Sequence, residues 1–558
     1  MSKTQFRFED LLEDVGNFGR FQKMTLSLLC FADVILPLHF LLNNFLAAVP
    51  SHHCSIPVSD TLKNLTKDDL LTISIPRKSD GTLSSCEMFS EPQLYLLSNT
   101  SQAKSNSSSV KHCQDGWEYD RNQFISTTTT EFNLVCNSKG LNQATVTFFF
   151  IGLMLGAFLF GFLVDKYGRR KMLVVAYFIS AICGTGAAFS TSFISFAILR
   201  SMTGVSMAGL SLIPITLGVE WVGIRYRTLS SITLSLCWSL GNTLLALIAY
   251  FIRDWHWLML AVTVPCYLGI ILCWWTPESA RWLITKGENK VAFKYLSKCA
   301  NMNKKTRSIA VSEEVLRKVV VAENVNKHYT FVDLFKTSAI RKLALCSGTV
   351  WFGVAFAYYG ISLNITGFVT DMYLTHLIYG LVEFPAKLLT YFFLAKIGRR
   401  CWQSSTLLVT GLCIGINIFI PKNLGYVRSI IAAVGKGFSE ASFCTAFLYT
   451  SELYPTVIRQ NGLGFSSFIG RLGVSAAPLV KLLEDIWQPF PDVIYGTAAI
   501  ISGIVAFLLP ETLNANLPET IDDIEKQRYG KQSSCTSSKE DANVAVLKAL
   551  KPLNPQEE

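Results

Sequence analysis

Apolar side chains in this chain are gathered into runs separated by short charged or turn-forming segments. Each run is about the 20 residues that a helix needs to cross the hydrocarbon core of a bilayer. Twelve of them can be marked: Met24–Val49, Ala144–Val164, Met172–Thr191, Ile194–Val219, Leu229–Ile252, Trp257–Thr276, Leu343–Asn364, Met372–Ala395, Trp402–Pro421, Ser429–Thr450, Gly462–Leu483 and Val493–Leu509. They fall into two groups of six. The segment between the groups, Pro277–Lys342, holds 14 Lys and Arg against 6 Asp and Glu. Basic loops resist translocation, so this segment is expected in the cytosol together with both termini.

The fold expected is an all-α membrane protein in two six-helix halves, residues 24–276 and 343–510, with a cytosolic N-terminus (1–23), an external loop (50–143) and a cytosolic central loop (277–342). The tail, 511–558, is polar and poor in aromatics, which predicts disorder apart from a short helix near Ile521–Tyr529. The first run follows an acidic segment (Glu9, Asp10, Glu13, Asp14) and is longer than a signal-peptide core, so it reads as a retained helix.

Composition agrees with lipid as the second solvent. Of 558 residues 50% are apolar and only 16% charged, and mean hydropathy is +0.35, which excludes a disordered chain. Lys and Arg outnumber Asp and Glu by 50 to 40, but no basic tract suggests a nucleic-acid surface. There is no G-x-x-x-x-G-K-[S/T] to cradle a nucleotide and no H-E-x-x-H to hold zinc, so an ATP-driven pump and a metalloprotease are disfavoured, and no cofactor is implied.

The loop at 50–143 has a different composition from the rest. It carries Cys54, Cys86, Cys113 and Cys136, an even number, and sequons at Asn64, Asn99 and Asn106. Disulfides and glycans both belong outside the cytosol, in agreement with the charge-based topology. Four cysteines allow three pairings, and the spacing does not choose among them. A fourth sequon, Asn364-Ile-Thr, sits at an apolar helix end. The remaining eleven cysteines lack C-x-x-C spacing, so no metal site is expected.

The two halves repeat each other. Gly168-Arg169-Arg170 returns as Gly398-Arg399-Arg400, Glu220 with Arg225 and Arg227 as Glu452 with Arg459, and Pro277-Glu278-Ser279 as Pro510-Glu511-Thr512. The near-constant spacing indicates a parallel duplication, the arrangement of major facilitator carriers, which place their site between the halves near the midplane. Gly161-Phe-Leu-Val-Asp165-Lys-Tyr-Gly168-Arg169-Arg170-Lys171 fits that superfamily's signature. Gly19-Arg20-Phe21-Gln22, Gly116-Trp117-Glu118-Tyr119, Pro277-Glu278-Ser-Ala-Arg281-Trp282-Leu283 and Glu452-Leu-Tyr-Pro-Thr456 resemble the organic cation, anion and zwitterion transporter family. The resemblance implies a carrier of small organic solutes in the plasma membrane, basolateral in epithelia. It also implies exchange against intracellular anions such as dicarboxylates, or facilitated diffusion, with nucleobase- or nucleotide-like solutes within the family's range.

Two sets of residues carry the expected function. Asp165, Arg169, Glu220, Arg227, Glu278 and Arg281 in the first half, and Arg399, Arg400, Glu452, Arg459 and Glu511 in the second, stand at cytosolic helix ends. They read either as a gate of switchable ion pairs or as fixed topology anchors. The second set is ionisable or aromatic within the spans, where a charge is costly and usually faces a cavity or a partner. Arg471 has only Ser467 and Ser475 one turn away, so it reads as an anion contact, the alternative being a structural bond to carbonyls or a distant acid. Lys387 has Glu383 four residues before it, and Lys436 has Glu440 four residues after, so each reads as an intrahelical pair. The resemblance favours a substrate role for Lys387, because anion-carrying members have bases at the positions of Lys387 and Arg471. Asp33 reads as a partner for a cavity base, a contact for a cationic part of the substrate, a proton site or an interfacial residue. Trp351, Tyr358, Tyr359, Phe443 and Phe447 are expected to line the cavity, with His39 and Asn43 facing them. An organic cation or zwitterion carrier of the same fold, or an anion channel, is the competing reading. Lipid is the expected surround, and oligomeric state is not legible.

Overall fold

The computed structural model describes residues 8–57, 65–78, 81–97, 109–223, 226–305, 332–363, 371–455 and 458–513, with Ile521, Ile524 and Glu525. Twelve helices occupy the twelve predicted runs: α1 Arg20–Phe40, α2 Lys139–Tyr167, α3 Arg169–Ala188, α4 Phe193–Trp221, α5 Arg227–Phe251, α6 Trp255–Leu272, α7 Ser338–Leu363, α8 Met372–Ile397, α9 Arg399–Phe419, α10 Gly425–Leu453, α11 Arg459–Val480 and α12 Phe490–Ala506. A further turn, Asn43–Leu46, continues α1. Ten of the twelve are long and apolar enough to cross a membrane. The exceptions are α12, which is 17 residues long, and α10, whose sequence is interrupted by Arg428, Lys436, Glu440 and Glu452.

The helices outrun the apolar runs at the side bearing the Gly-Arg-Arg motifs. Asp165, Lys166 and Tyr167 still belong to α2, which stops at Gly168 because that residue adopts φ +103°. Gly398 ends α8 in the same way at φ +94°. This region of backbone space is costly for any side chain except hydrogen. Each glycine also leaves room for an acid. A β-carbon at Gly168 would lie 2.6 Å from Glu278 Oε2, and one at Gly398 would lie 2.6 Å from Glu511 Oε2.

Packing repeats between the halves as the motifs do. In the first half α1 lies against α5, α2 and α3 against α4, and α3 against α6. In the second, α7 lies against α11, α8 and α9 against α10, and α9 against α12. One close approach is α2 on α4, where Gly152 and Gly156 meet the carbonyls of Ser201 and Val205, and Gly204 meets that of Phe149. Without a hydrophobic drive in lipid, small residues that let backbones touch are what hold such a pair. The halves meet through α5 on α8 and α2 on α11.

The loop between α1 and α2 is a small domain. Strands β1 (His52–Cys54), β2 (Glu87–Phe89), β3 (Val110–His112) and β4 (Trp117–Tyr119) form two antiparallel hairpin-like pairs, β1 with β4 and β2 with β3. The disulfides are Cys54–Cys113 and Cys86–Cys136, one of the three pairings the sequence allowed. His52 lies near Cys86 and Cys136, but both sulfurs are in that disulfide, so the group is no metal site. The sequons at Asn64, Asn99, Asn106 and Asn364 lie outside the described residues.

On the opposite side, helices Phe8–Val15, Ala280–Thr285 and Asn289–Met302 make a layer that composition did not foretell, packed through Phe8, Leu11, Leu12, Val15, Leu283, Leu296 and Cys299. The Asn303 amide donates to the carbonyl of Val15 and to Gln22 Oε1, and its oxygen accepts from the Phe21 N–H. This explains the Gly19-Arg20-Phe21-Gln22 motif, because a β-carbon at Gly19 would collide with Asn303. In the tail, where a short helix was expected near Ile521–Tyr529, Ile521, Ile524 and Glu525 are helical; the two isoleucines pack on the second half and Glu525 accepts from the Ala339 N–H. The rest of the tail after Leu513 lies outside the described residues.

Glu511 accepts from the backbone N–H groups of Arg399, Arg400, Thr512 and Leu513 at 2.8–3.0 Å. Burial raises its pKa, but these donors outweigh that and hold the carboxyl below its ordinary value. The stabilisation is therefore complete above the unfolded-state pKa and is lost as pH falls through the lower folded value. Replacing Gly398 with Ala should displace this carboxylate and strain the turn by about 1–3 kcal/mol, lowering the thermal midpoint of purified protein by several degrees. An unchanged midpoint would contradict the role given to this turn.

Candidate functional site

Four ionisable side chains from α8 and α10 meet at the level where the halves touch. Glu383 and Lys387 stand one turn apart on α8, Lys436 and Glu440 one turn apart on α10, and all four are buried. The expected intrahelical pairs give way to crossed ones. Lys436 Nζ is 3.0 Å from Glu383 Oε1, and Lys387 Nζ is 3.0 Å from Glu440 Oε1, whereas Lys387 is 3.8 Å from Glu383. Crossing lets each lysine meet a carboxylate of the neighbouring helix, so the group has no net charge. Lys436 also sits 3.2 Å from the centre of the Tyr358 ring.

Helix α5, from the other half, completes the cluster. Glu383 accepts from Ser239 Oγ (3.0 Å), Asn242 Nδ2 (3.0 Å) and the Tyr358 hydroxyl (2.9 Å). Lys387 donates to the Ser235 carbonyl (2.7 Å) and to Ser239 Oγ (2.6 Å). Ser235, Ser239 and Asn242 follow an i, i+4, i+7 spacing, one face of a helix. That polar stripe in an apolar run was the signal available in the sequence, and composition alone passed over it.

Arg471 is placed differently. It is half-buried on α11, and Nη1 donates to the Leu153 carbonyl of α2 at 2.9 Å. Among the described residues it makes no ion pair with a carboxylate. Tyr359 is within electrostatic reach of Arg471 on one side and of Glu440 and Glu383 on the other.

The aromatic residues form a connected wall. Trp351 packs edge-on against Phe447 at 4.5 Å, Phe443 lies 5.3 Å from Tyr358, Tyr358 lies 5.1 Å from Tyr359, and Tyr359 meets Phe150 of α2 at 5.1 Å. Phe150 leads on to Phe40, and Phe40 to Trp238, whose indole N–H donates to the Tyr358 hydroxyl at 3.4 Å.

Asp33 lies within electrostatic range of Lys387, and its Oδ2 is buried without a hydrogen-bond partner among the described residues. Both polar atoms of the Asn43 side chain are likewise unpartnered. His39 departs from its expected place. It is fully buried inside the first half, where the Arg200 guanidinium donates to its carbonyl at 2.6 Å and Cys266 approaches its ring. Arg200, a buried cation whose partners are this carbonyl, the His39 ring and the Phe149 ring (4.4 Å), explains why.

The charged helix ends form two matching sets, each within one half. Arg169 pairs with Glu220 (3.1 Å) and Asp165 (3.2 Å), and Arg281 is close enough to act on Glu220. In the second half Arg399 grips both oxygens of Glu452 (3.0 and 3.2 Å), and Arg459 lies near the same acid. Glu278 and Glu511 act as anionic caps. Glu278 takes the N–H groups of Arg169 and Arg170 at the start of α3, as Glu511 takes those of Arg399 and Arg400 at the start of α9, where the helix dipole favours negative charge. Arg400 thus contributes its backbone, and Arg227 opens α5.

Contacts between the halves begin on the loop side and continue past mid-depth. Phe45 stacks on Tyr373 at 5.4 Å, Gln123 donates to Asp371 at 3.1 Å, Asn44 donates to the Ser362 carbonyl at 2.8 Å, and Thr147 reaches the Ser475 carbonyl. The contacts of Arg471 with Leu153 and of Lys387 with Ser235 lie deeper, and Phe158 of α2 meets Phe468 of α11 at 5.3 Å deeper still, toward the Gly-Arg-Arg ends.

A duplicated twelve-helix bundle with a buried polar centre between its halves is a membrane carrier of the major facilitator fold. Residues 93–523 match the family described as Sugar (and other) transporter. Solute carrier family 22 member 7 of Homo sapiens is 46% identical over 532 residues, 93% of this chain and 96% of that protein. Solute carrier family 22 member 6 of Danio rerio is 39% identical over 537 residues, covering 94% and 96%. The chain belongs to solute carrier family 22. Among solved structures, the inward open conformation of the xylose transporter XylE from E. coli aligns with a TM-score of 0.57 at 15% identity, covering 88% of this chain and 97% of that one. At that identity the likeness concerns the fold alone.

Glu383 is the hub of the cluster, so Glu383→Ala should strand Lys436 and cost roughly 3–5 kcal/mol. Adding Lys436→Met to a Glu383→Leu variant should restore most of that loss. Thermal midpoints of the purified variants measure both, and an equal loss in single and double variants would contradict the pairing.

Proposed function

We propose that this protein is a plasma-membrane carrier of small organic anions that works by alternating access, with both termini and the Gly-Arg-Arg motifs in the cytosol. The observation that carries the reading is Arg471, a half-buried guanidinium with no acidic partner among the described residues. A desolvated, unneutralised guanidinium attracts carboxylate or phosphate, and its forked donors hold either in a bidentate grip. Tyr359 and the aromatic wall beside it offer faces for a flat apolar body.

In this reading the contacts on the loop side would close the extracellular entrance, and the central site would open toward the cytosol in the inward-facing half of the cycle. Rocking of α1–α6 against α7–α12 would break Phe45–Tyr373 and Gln123–Asp371 while bringing the motif ends together. Glu383 is the carboxylate a cation would seek, but Lys436 already neutralises it, which disfavours the cation reading. Exchange against an intracellular anion and facilitated diffusion both fit a two-state carrier. Asn64, Asn99 and Asn106 would carry glycans on the extracellular domain.

Uptake of a radiolabelled panel of carboxylates, nucleobase-like acids and organic cations tests the reading, with surface abundance measured in parallel. Wild type should take up anions saturably, with trans-stimulation. Arg471→Ala should lose roughly a hundred-fold or more in anion uptake efficiency, the scale for removing one buried charged contact. Unchanged anion kinetics would remove Arg471 from the site, preferred uptake of cations would overturn the substrate class, and unitary current steps would favour a channel.

A further inference from the structure

We infer that the site accepts solutes with one negative charge and discriminates against dianions, and that Glu440 sets this limit by neutralising Lys387. The inference rests on the anion-carrier reading and narrows it. Three cations border the aromatic wall: Lys387, Lys436 and Arg471. Two of them are matched, Lys387 by Glu440 and Lys436 by Glu383, each at 3.0 Å. One positive charge is left to meet a solute.

The neighbouring titratable groups add none. Asp33, within electrostatic range of Lys387, can contribute only negative charge. His376 turns Nδ1 toward the Asn44 amide nitrogen at 3.5 Å, so the ring accepts there as a neutral group. Arg200 lies behind the Phe149 ring and donates to the His39 carbonyl inside the first half. A monoanion on Arg471 leaves the buried site neutral. A second carboxylate on the same solute would stay uncompensated in a low-dielectric space, and an unmatched buried charge outweighs the contacts it can make.

Glu440 is a specificity-determining residue that acts through Lys387. Its carboxylate has fewer partners than that of Glu383: the Lys387 ammonium and the Cys444 thiol at 3.6 Å. Neutralising it therefore releases Lys387 at the least structural cost. The lysine then keeps the neutral Ser235 carbonyl and Ser239 hydroxyl, and its nearest carboxylate is Glu383 at 3.8 Å, which Lys436 already holds.

The test is inhibition of radiolabelled benzoate uptake, in cells expressing the full chain, by monomethyl phthalate and by phthalate. The pair shares one ring, and the dianion is the smaller molecule, so size works against the expected result. In wild type, phthalate should inhibit at least about ten-fold less potently than its monomethyl ester, and in Glu440→Gln that ratio should shrink by roughly ten-fold. Equal potency in wild type would overturn the charge limit while leaving the anion carrier intact, and it decides the matter even if the variant fails to reach the surface. An unchanged ratio in a surface-expressed Glu440→Gln would remove Glu440 from specificity. No saturable benzoate uptake by surface-expressed wild type would overturn the anion-carrier reading and the charge limit with it.

Discussion

Charge inside a bilayer protein has to be matched, and the way this chain matches it governs its central site. Lys387 and Lys436 each find a glutamate on the facing helix, and the cross-linked group is finished by a hydroxyl, an amide and a backbone carbonyl from α5 in the other half. Removing either partner leaves an ion stranded in low dielectric. The cluster thus does two jobs at once. It joins α5 to α8 where the halves meet, and it neutralises two of three cations, which leaves Arg471 as the proposed contact for a solute anion.

The same economy appears at the helix ends. Glu278 and Glu511 are fixed by backbone N–H groups at the starts of α3 and α9, so they hold each half together as a rigid body. Arg169–Glu220 and Arg399–Glu452 likewise stay within one half. In this structure these sets are internal braces. A gate between halves would require their arginines to change partners on closure, which is compatible with their place at the edge of each bundle.

Much of the architecture was legible because the signals were physical and repeated. Run lengths located all twelve helices, and the recurrence of Gly-Arg-Arg and Pro-Glu predicted packing that the two halves share. What the sequence could not convey was contact between distant segments. Glu383 with Lys387 and Lys436 with Glu440 look like self-contained pairs when read along one helix, and only the approach of α8 to α10 crosses them. His39 is polar and lies in an apolar run, so it read as a cavity residue until Arg200 was seen to claim its carbonyl. The disulfide pairing and the N-terminal helix docked through Asn303 depend on tertiary proximity in the same way. Arg471, whose own helix supplies no acid, could be singled out without it.

The central claim is that a solute anion is held by Arg471 while Lys387 stays bound to Glu440. A cryo-electron microscopy map of the full chain with bound benzoate tests it directly. The account predicts carboxylate density within hydrogen-bond distance of the Arg471 guanidinium, the ring against Tyr359, and an intact Lys387–Glu440 contact. Density for the carboxylate on Lys387, with Glu440 turned away and Arg471 uninvolved, would contradict it.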